Sequence, residues 1–426
     1  MRVLLVSANR TEINMRTIPL GLACVATALK ETGHSVEILD FLEVENPFSA
    51  LKAAIEEFRP EVIGISLRNI DDQTMRNPRL FLDEDNHVIE MAKRLSDAPV
   101  ILGGAGYSMF PEEILTYSQA DMGIQGDGEE TFRLLLDRLE KKQSLTGLPG
   151  LYVKERGLQA QRVFTKNLDQ FPLPETDFFP PSLFQDTNLW VPVQTRRGCS
   201  MDCSYCSTAI IEGRTMRKRS PGKVVEWIIR LNKAGACQFY FVDNTFNLPA
   251  SYALKLCKEL ASASLGIRWR CIVYPNRLNE PLVAAMAGAG CVEASVGFES
   301  GCENILQRMN KRFRRKDVEK VCKLLGRHGI RRMGFLLLGG PGETRQSVYE
   351  SLVFADSLDL DLLKITIGVR IYPHTPLAEE ASKEGGIKSD ENLLFPKFYM
   401  TPGLEDWIRE ILATYKENRP NWIVDG

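Results

Sequence analysis

At 426 residues the chain is too long for one ordinary hydrophobic core, so two or more domains are expected. Its 53 basic and 55 acidic residues nearly cancel, which removes any whole-chain electrostatic case for nucleic acid or a membrane surface as partner. No apolar run approaches the ~20 residues that cross a bilayer, and the chain opens on the strand-like run Met1–Val6 without a leader pattern, so a cytoplasmic, globular protein is expected.

Over residues 1–140, apolar runs alternate with helical patterns. Val3–Val6, Val36–Leu39, Val62–Leu67, Val100–Leu102 and Met122–Ile124 read as buried parallel strands, because each run is nearly continuous in apolar residues. Pro19–Glu31, Phe48–Phe58, Asn86–Leu95 and Pro111–Tyr117 carry helical spacing between them, and another helix is expected after Glu129. The pattern predicts a doubly wound α/β domain of Rossmann or flavodoxin type, whose ligands sit beyond the carboxyl ends of the strands. Short polar segments follow three of those ends: Ser66–Asp72, Gly103–Gly106 and Gly126–Glu129. Glycines there permit a tight turn or the close approach of a ligand.

Residues 141–185 read as a connector, since Phe171–Pro181 is too rich in proline for regular helix or central strand. From 186 to 385 the alternation resumes with a longer period. Strands are expected at Val191–Thr195, Phe239–Val242, Arg270–Val273, Val292–Phe298, Met333–Leu338 and Ile365–Ile371. The helix after Ser220-Pro221 has a capping residue, proline at its first position, a buried stripe of Val224, Val225, Ile228, Ile229 and Leu231, and a stop at Gly235. Six such units predict a partial (β/α)6 barrel with its active site at the carboxyl ends of the strands. Residues 386–426 read as a small helical segment with Trp407, Ile408 and Ile411 on one face. The basic run from Arg308 to Arg332 interleaves with Val318, Val321, Leu324 and Leu325 at helical spacing, so it reads as the wet face of an amphipathic helix rather than a nucleic-acid site.

The chemistry concentrates in the loop after the first barrel strand, where Cys199, Cys203 and Cys206 are spaced C-x3-C-x2-C. Three thiolates can hold three corners of a [4Fe–4S] cube, whereas a cluster that only carries electrons normally has protein ligands on all its irons. An open metal position is where substrates bind. Zinc would need a fourth ligand at finger or ribbon spacing, and His34, His87, His328 and His374 all lie far away in sequence. The other seven cysteines sit on apolar helical faces or beside strands, where packing is the default role. Later strands end in Phe241–Phe246, Val296–Gly301, Gly339–Thr344 and Ile371–Pro376. Gly339–Thr344 lacks the Gly-Lys-Ser/Thr ending of a phosphate loop, which excludes a nucleoside triphosphatase.

These features together resemble the radical S-adenosylmethionine (SAM) superfamily, over roughly residues 189–385. The resemblance implies that Cys199, Cys203 and Cys206 ligate the cluster and that SAM chelates the fourth iron. One electron then cleaves its C–S bond, releasing a 5′-deoxyadenosyl radical that abstracts hydrogen from an unactivated carbon. It places Tyr205 near the adenine, Glu299 and Ser300 near the ribose, and Asp243, Asn244, Gly339 and Gly340 around the SAM pocket. Residues 1–140 resemble the cobalamin-binding domain that precedes many radical SAM cores, on Val62–Leu67, Val100–Gly104 and Gly126–Glu129. That likeness implies a cobalamin site at Ser66, Leu67, Arg68, Gly103, Gly104, Gly106, Gly126, Gly128 and Glu129. The loop Ala8–Asn14 contains no Asp-x-His-x-x-Gly, so no lower histidine ligand comes from it. Arg68 is the candidate for a side chain that blocks the cobalt face without coordinating it. His87 reads as a helix-surface residue.

The expected function is therefore a cobalamin-dependent radical SAM methyltransferase that works through methylcobalamin on a small-molecule or peptide substrate. A flavodoxin or ferredoxin is the electron donor the resemblance implies. Neither nucleic acid nor membrane is expected as a partner. A cyclase or ring-rearranging enzyme with the same cofactors but no methyl transfer is the alternative, and a corrinoid or iron–sulfur sensor is the alternative of another class.

Overall fold

The computed structural model describes residues 1–12, 16–186, 188–388 and 391–425. Ile13 and Asn14, which end the loop singled out after the first strand, lie outside the described residues. The chain divides into two compact units: one of residues 1–72, 79–189 and 210–213, the other of 73–78, 190–209 and the residues from Arg214 onward.

The first unit runs β1 (Arg2–Ser7), α1 (Leu20–Glu31), β2 (Ser35–Asp40), α2 (Pro47–Phe58), β3 (Val62–Ser66), α3 (Leu82–Leu95), β4 (Val100–Gly103), α4 (Ala105–Met109), α5 (Pro111–Ser118), β5 (Met122–Ile124) and α6 (Gly128–Glu140). Its strands lie in the order β2-β1-β3-β4-β5, all parallel. Val3 to Val6 are almost fully buried, as the apolar runs require when helices cover both faces. The core joins Val3, Leu5, Val62 and Ile101 of the sheet to Ala26, Leu29, Leu135 and Leu136 of α1 and α6. Helix α2 starts where Asn46 accepts from the Ser49 amide ahead of Pro47, and it stops at Arg59 in the left-handed region.

The connector is more structured than its composition implies. Strands β6 (Leu151–Val153) and β7 (Gly157–Leu158) extend the same sheet antiparallel beyond β5. With three and two residues they are too short for a period of two to register. The proline-rich stretch forms single turns and the short helix α7 (Ser182–Gln185).

The second unit begins with β8 (Val191–Val193), β9 (Arg196–Arg197), α8 (Thr208–Glu212), β10 (Arg217–Lys218), α9 (Pro221–Lys233), β11 (Gln238–Phe241), α10 (Ala250–Ser262), β12 (Arg268–Val273), α11 (Glu280–Gly288) and β13 (Cys291–Glu299). It continues with α12 (Glu303–Arg308), α13 (Arg315–Arg327), β14 (Arg331–Leu338), α14 (Arg345–Ser357), β15 (Leu362–Ile367), β16 (Val369–Arg370), α15 (Pro376–Lys383), β17 (Phe398–Tyr399), α16 (Glu405–Lys416) and β18 (Trp422–Asp425). Parallel strands line up as β18-β15-β14-β13-β12-β11-β8.

Two expectations are corrected here. The strand expected over Ile365–Ile371 breaks at Gly368, whose φ of 79° ends β15 and turns β16 toward an antiparallel partner, β17. The C-terminal segment is not wholly helical: after α16, whose buried face is Leu404, Ile408 and Leu412, the chain adds β18 beside β15. Trp422 anchors that strand, 4% exposed and stacked on Tyr415. Among the described residues no helix is long and apolar enough to cross a membrane.

Candidate active site

The loop that carries the three cysteines is fixed at its root by a buried ion pair. Asp243, 1% exposed beyond β11, accepts from the Thr195 amide at 2.7 Å, the Thr195 hydroxyl at 2.6 Å, the Arg196 amide at 2.9 Å and the Arg196 guanidinium at 2.7 Å. The same guanidinium donates to the Leu248 carbonyl at 2.8 Å and packs over Tyr252, 4.7 Å from the ring centre. Arg196 is itself fully buried, so the pair persists only because every donor around the carboxylate is used. Asp243, expected around the SAM pocket, thus has both oxygens engaged by the root of the cysteine loop.

Farther along, the loop is tied to the ends of later elements. The Ser204 amide donates to the Met309 carbonyl at 3.1 Å, and the Ser204 carbonyl accepts from Leu377 at 3.0 Å. Cys199, Cys203 and Cys206 are all partly exposed on this one loop, and none is held in a disulfide. The Cys206 thiol contacts the Thr208 hydroxyl at 3.3 Å, which in turn reaches Asn244 at 3.4 Å. Among the described residues no three His, Cys, Asp or Glu side chains are arranged to hold a single metal ion. A cubane spreads its thiolates over three irons, so the donor set of three soft sulfurs on a pinned loop fits that group better than it fits zinc.

A cation unforeseen from the sequence stands beside the loop. The Lys311 ammonium donates to the Tyr205 hydroxyl at 2.9 Å and lies 3.3 Å from the Glu299 carboxylate, with the lysine side chain 5% exposed. Burial works against its charge, but Glu299, Tyr205 and the Cys203 sulfur more than compensate, and its pKa rises above the ordinary lysine value. Glu299 reaches this position through a break in register between β13 and β14 and a φ of 61°. A Cβ on Gly297 would come within 2.8 Å of its carboxylate, so only glycine leaves that side chain room to fold back. In the sequence Lys311 is hidden in a run of basic residues whose other members are mostly solvated.

Ser300 is corrected as well. It is fully buried, its hydroxyl meeting Ser351 at 3.1 Å and accepting from the Cys302 amide at 3.1 Å. Gly339 and Gly340 do come to the strand end, where Thr401 donates to both carbonyls and Met400 lies where a Cβ on Gly339 would fall. Glu343, 3% exposed, accepts from the Gly339 amide, while its other oxygen has no partner. Burial pushes its carboxyl up to about 7, against the pull of the Gly339 and Gly340 amides.

In the first unit the residues expected to hold a corrinoid gather at the carboxyl ends of β3, β4 and β5. The Leu67 amide donates to the Gly103 carbonyl at 2.8 Å and the Gly106 amide to the Leu67 carbonyl at 2.9 Å. A Cβ on Gly104, whose φ is 98°, would strike the Leu67 carbonyl at 2.5 Å, so the two segments interlock only through glycine. The Gly126 amide donates to Ser108 at 3.0 Å. Gly128 opens α6 against Val25. Arg68 is exposed at this edge, and His87 is exposed on α3. Leu67 and Glu129, at the same edge, are buried. At Gly103 an added Cβ would meet nothing within 4 Å, so backbone lies open at this strand end.

Family models match both units: the radical SAM superfamily over residues 193–355 and the B12 binding domain over residues 6–136. The chain is 30% identical over 395 residues to the uncharacterised methyltransferase PH0819 of Pyrococcus horikoshii, spanning 89% of this chain and 83% of that one. It is 24% identical to the tryptophan 2-C-methyltransferase of Streptomyces laurentii, over 88% of this chain and 74% of the relative. The solved structure of the radical SAM methyltransferase TsrM from Kitasatospora setae, with cobalamin and a [4Fe–4S] cluster bound, superposes with a TM-score of 0.87 at 22% identity, covering all of this chain and 93% of that one.

Proposed function

We propose a methyl transfer for this chain, which belongs to the B12-binding branch of the radical SAM superfamily. The observation that carries it is the pinned three-thiol loop, whose Cys199, Cys203 and Cys206 would hold a cluster, on the same chain as a glycine-built strand edge that would hold a corrinoid. When bound, the cluster with SAM supplies one-electron cleavage of a sulfonium bond, and cobalamin supplies a methyl carrier.

The protein's part is binding, orientation and charge. Cys199, Cys203 and Cys206 hold the cluster, and Arg196 with Asp243 fixes where they stand. Lys311 keeps a buried positive charge beside Cys203 and Tyr205, suited to an anionic sulfur cage or to the carboxylate of SAM. Glu299 balances that charge and offers an acceptor to ribose hydroxyls. Gly339 and Gly340 supply backbone close to the strand end with no Cβ in the way. The acceptor of the methyl group is a small molecule in this reading, with a flavodoxin or ferredoxin as the electron source.

Anaerobic reconstitution with iron, sulfide and hydroxocobalamin, followed by dithionite and SAM, tests the proposal through its products. S-adenosylhomocysteine forming only when the corrinoid is present is expected. Release of 5′-deoxyadenosine alone would instead favour a ring-forming reaction without methyl transfer.

A further inference from the structure

A small recess opens at the carboxyl ends of β1 and β3, lined by Asn9, Arg10, Arg68, Asn69, Phe81 and Asp85 among others. Its free space is about 20 Å³, the room of one water molecule or the tip of a polar group. Two polar atoms in its wall lack partners among the described residues: the Asn9 amide nitrogen and the Arg10 Nε, both buried without acceptors. Asp85, on the first turn of α3, is 5% exposed beside them and has the Arg10 charge near it. The rest of the Arg10 guanidinium is held in place by the Glu84 carbonyl at 3.3 Å, the Glu84 carboxylate at 3.6 Å and the rings of Phe41 and Phe48. Buried polar groups are seldom left unpaired, so two orphaned donors beside a buried acid, at the ligand-binding edge of an open α/β sheet, mark a group still to arrive.

The chemistry of the trio selects that group. Asn9 and Arg10 offer donors, so the ligand atom facing them is an acceptor. Asp85 is kept neutral by burial, its carboxyl pushed up to about 8 despite Arg10 nearby, and a neutral carboxyl both gives and takes a hydrogen bond. A primary amide presents a carbonyl oxygen and an N–H side by side, and pairs with a carboxylic acid through two reciprocal bonds. A carboxylate would take hydrogen bonds from all three groups but offers no N–H to the carbonyl oxygen of Asp85, which an amide does. We propose that Asn9, Arg10 and Asp85 form a subsite for one of the primary amides on the corrin periphery, which rests on the cobalamin reading above.

Equilibrium titration of the full-length chain, followed by the absorbance of the corrinoid, tests this without any catalytic assay. The probes are hydroxocobalamin and the cobalamin monocarboxylates, in which one side-chain amide is hydrolysed to an acid. Wild-type protein is expected to discriminate against at least one monocarboxylate by about tenfold, the loss that follows when a buried polar partner is mismatched. Asp85→Leu, close in size and apolar, is expected to shrink that gap, because it can neither give nor take a hydrogen bond. Asn9→Ala is expected to weaken hydroxocobalamin by a similar factor. Equal affinity of the wild type for every monocarboxylate, or the same preference in Asp85→Leu, overturns the subsite while leaving cobalamin binding intact. A wild-type chain that takes up no corrinoid overturns the cobalamin reading, and the subsite with it.

Discussion

In the proposed site, Lys311 is the residue on which the SAM half turns. Its ammonium neutralises Glu299 in a pocket nearly closed to water, so removing it leaves a buried carboxylate uncompensated. Lys311→Met is expected to lower stability by about 3 kcal/mol and to weaken SAM, while the three cysteines still take up iron. Equilibrium dialysis of SAM against the reconstituted variant checks this; unchanged SAM affinity would refute it. Glu343 gives the other residue-scale test. Its carboxyl titrates near 4.5 when unfolded and about 7 when folded, so the folded state holds the proton more tightly. The resulting stability is complete below about pH 4.5 and is lost as pH rises through about 7. Wild-type protein should therefore have a lower urea midpoint at pH 8 than at pH 5, and Glu343→Gln should shrink that difference.

At the scale of elements, what matters is how strand ends are held. The cluster loop departs from β8 through Thr195 and Arg196, and Asp243 beyond β11 receives both. Asp243→Asn leaves a buried guanidinium short of its counter-charge, an effect worth about 3 kcal/mol. We expect the loop to hold less cluster as a result, read as iron and sulfide per chain after identical reconstitution. A variant as unstable as expected but with full cluster content would show that Asp243 stabilises without positioning. In the first unit, Gly104→Ala forces a Cβ into the Leu67 carbonyl at a φ that only glycine adopts freely. Its expected cost is about 1–3 kcal/mol together with lower corrinoid retention, measured by absorbance after desalting.

Taken whole, the chain shows where local sequence information is sufficient. The strands β1 to β5 and β11 to β15 are apolar runs bounded by caps and glycines, so they are legible from period and punctuation alone. The C-x3-C-x2-C loop is equally legible, since its three cysteines fall within eight consecutive residues. The strands β6, β7 and β18 are not, because each has two to four residues and exists only by pairing with a neighbour. Asp243 and Ser300 carry the right residue types at the right strand ends, yet the structure spends their side chains on Arg196 and Ser351. Lys311, Glu343 and Asp85 sit in stretches that look solvated when read one residue at a time. The sequence by itself determined the three-cysteine spacing, the two α/β units and the family of chemistry, because those depend on spacing along the chain. Only the tertiary structure decided which charged groups are buried and which are already paired, because burial and pairing depend on residues that meet from distant strands.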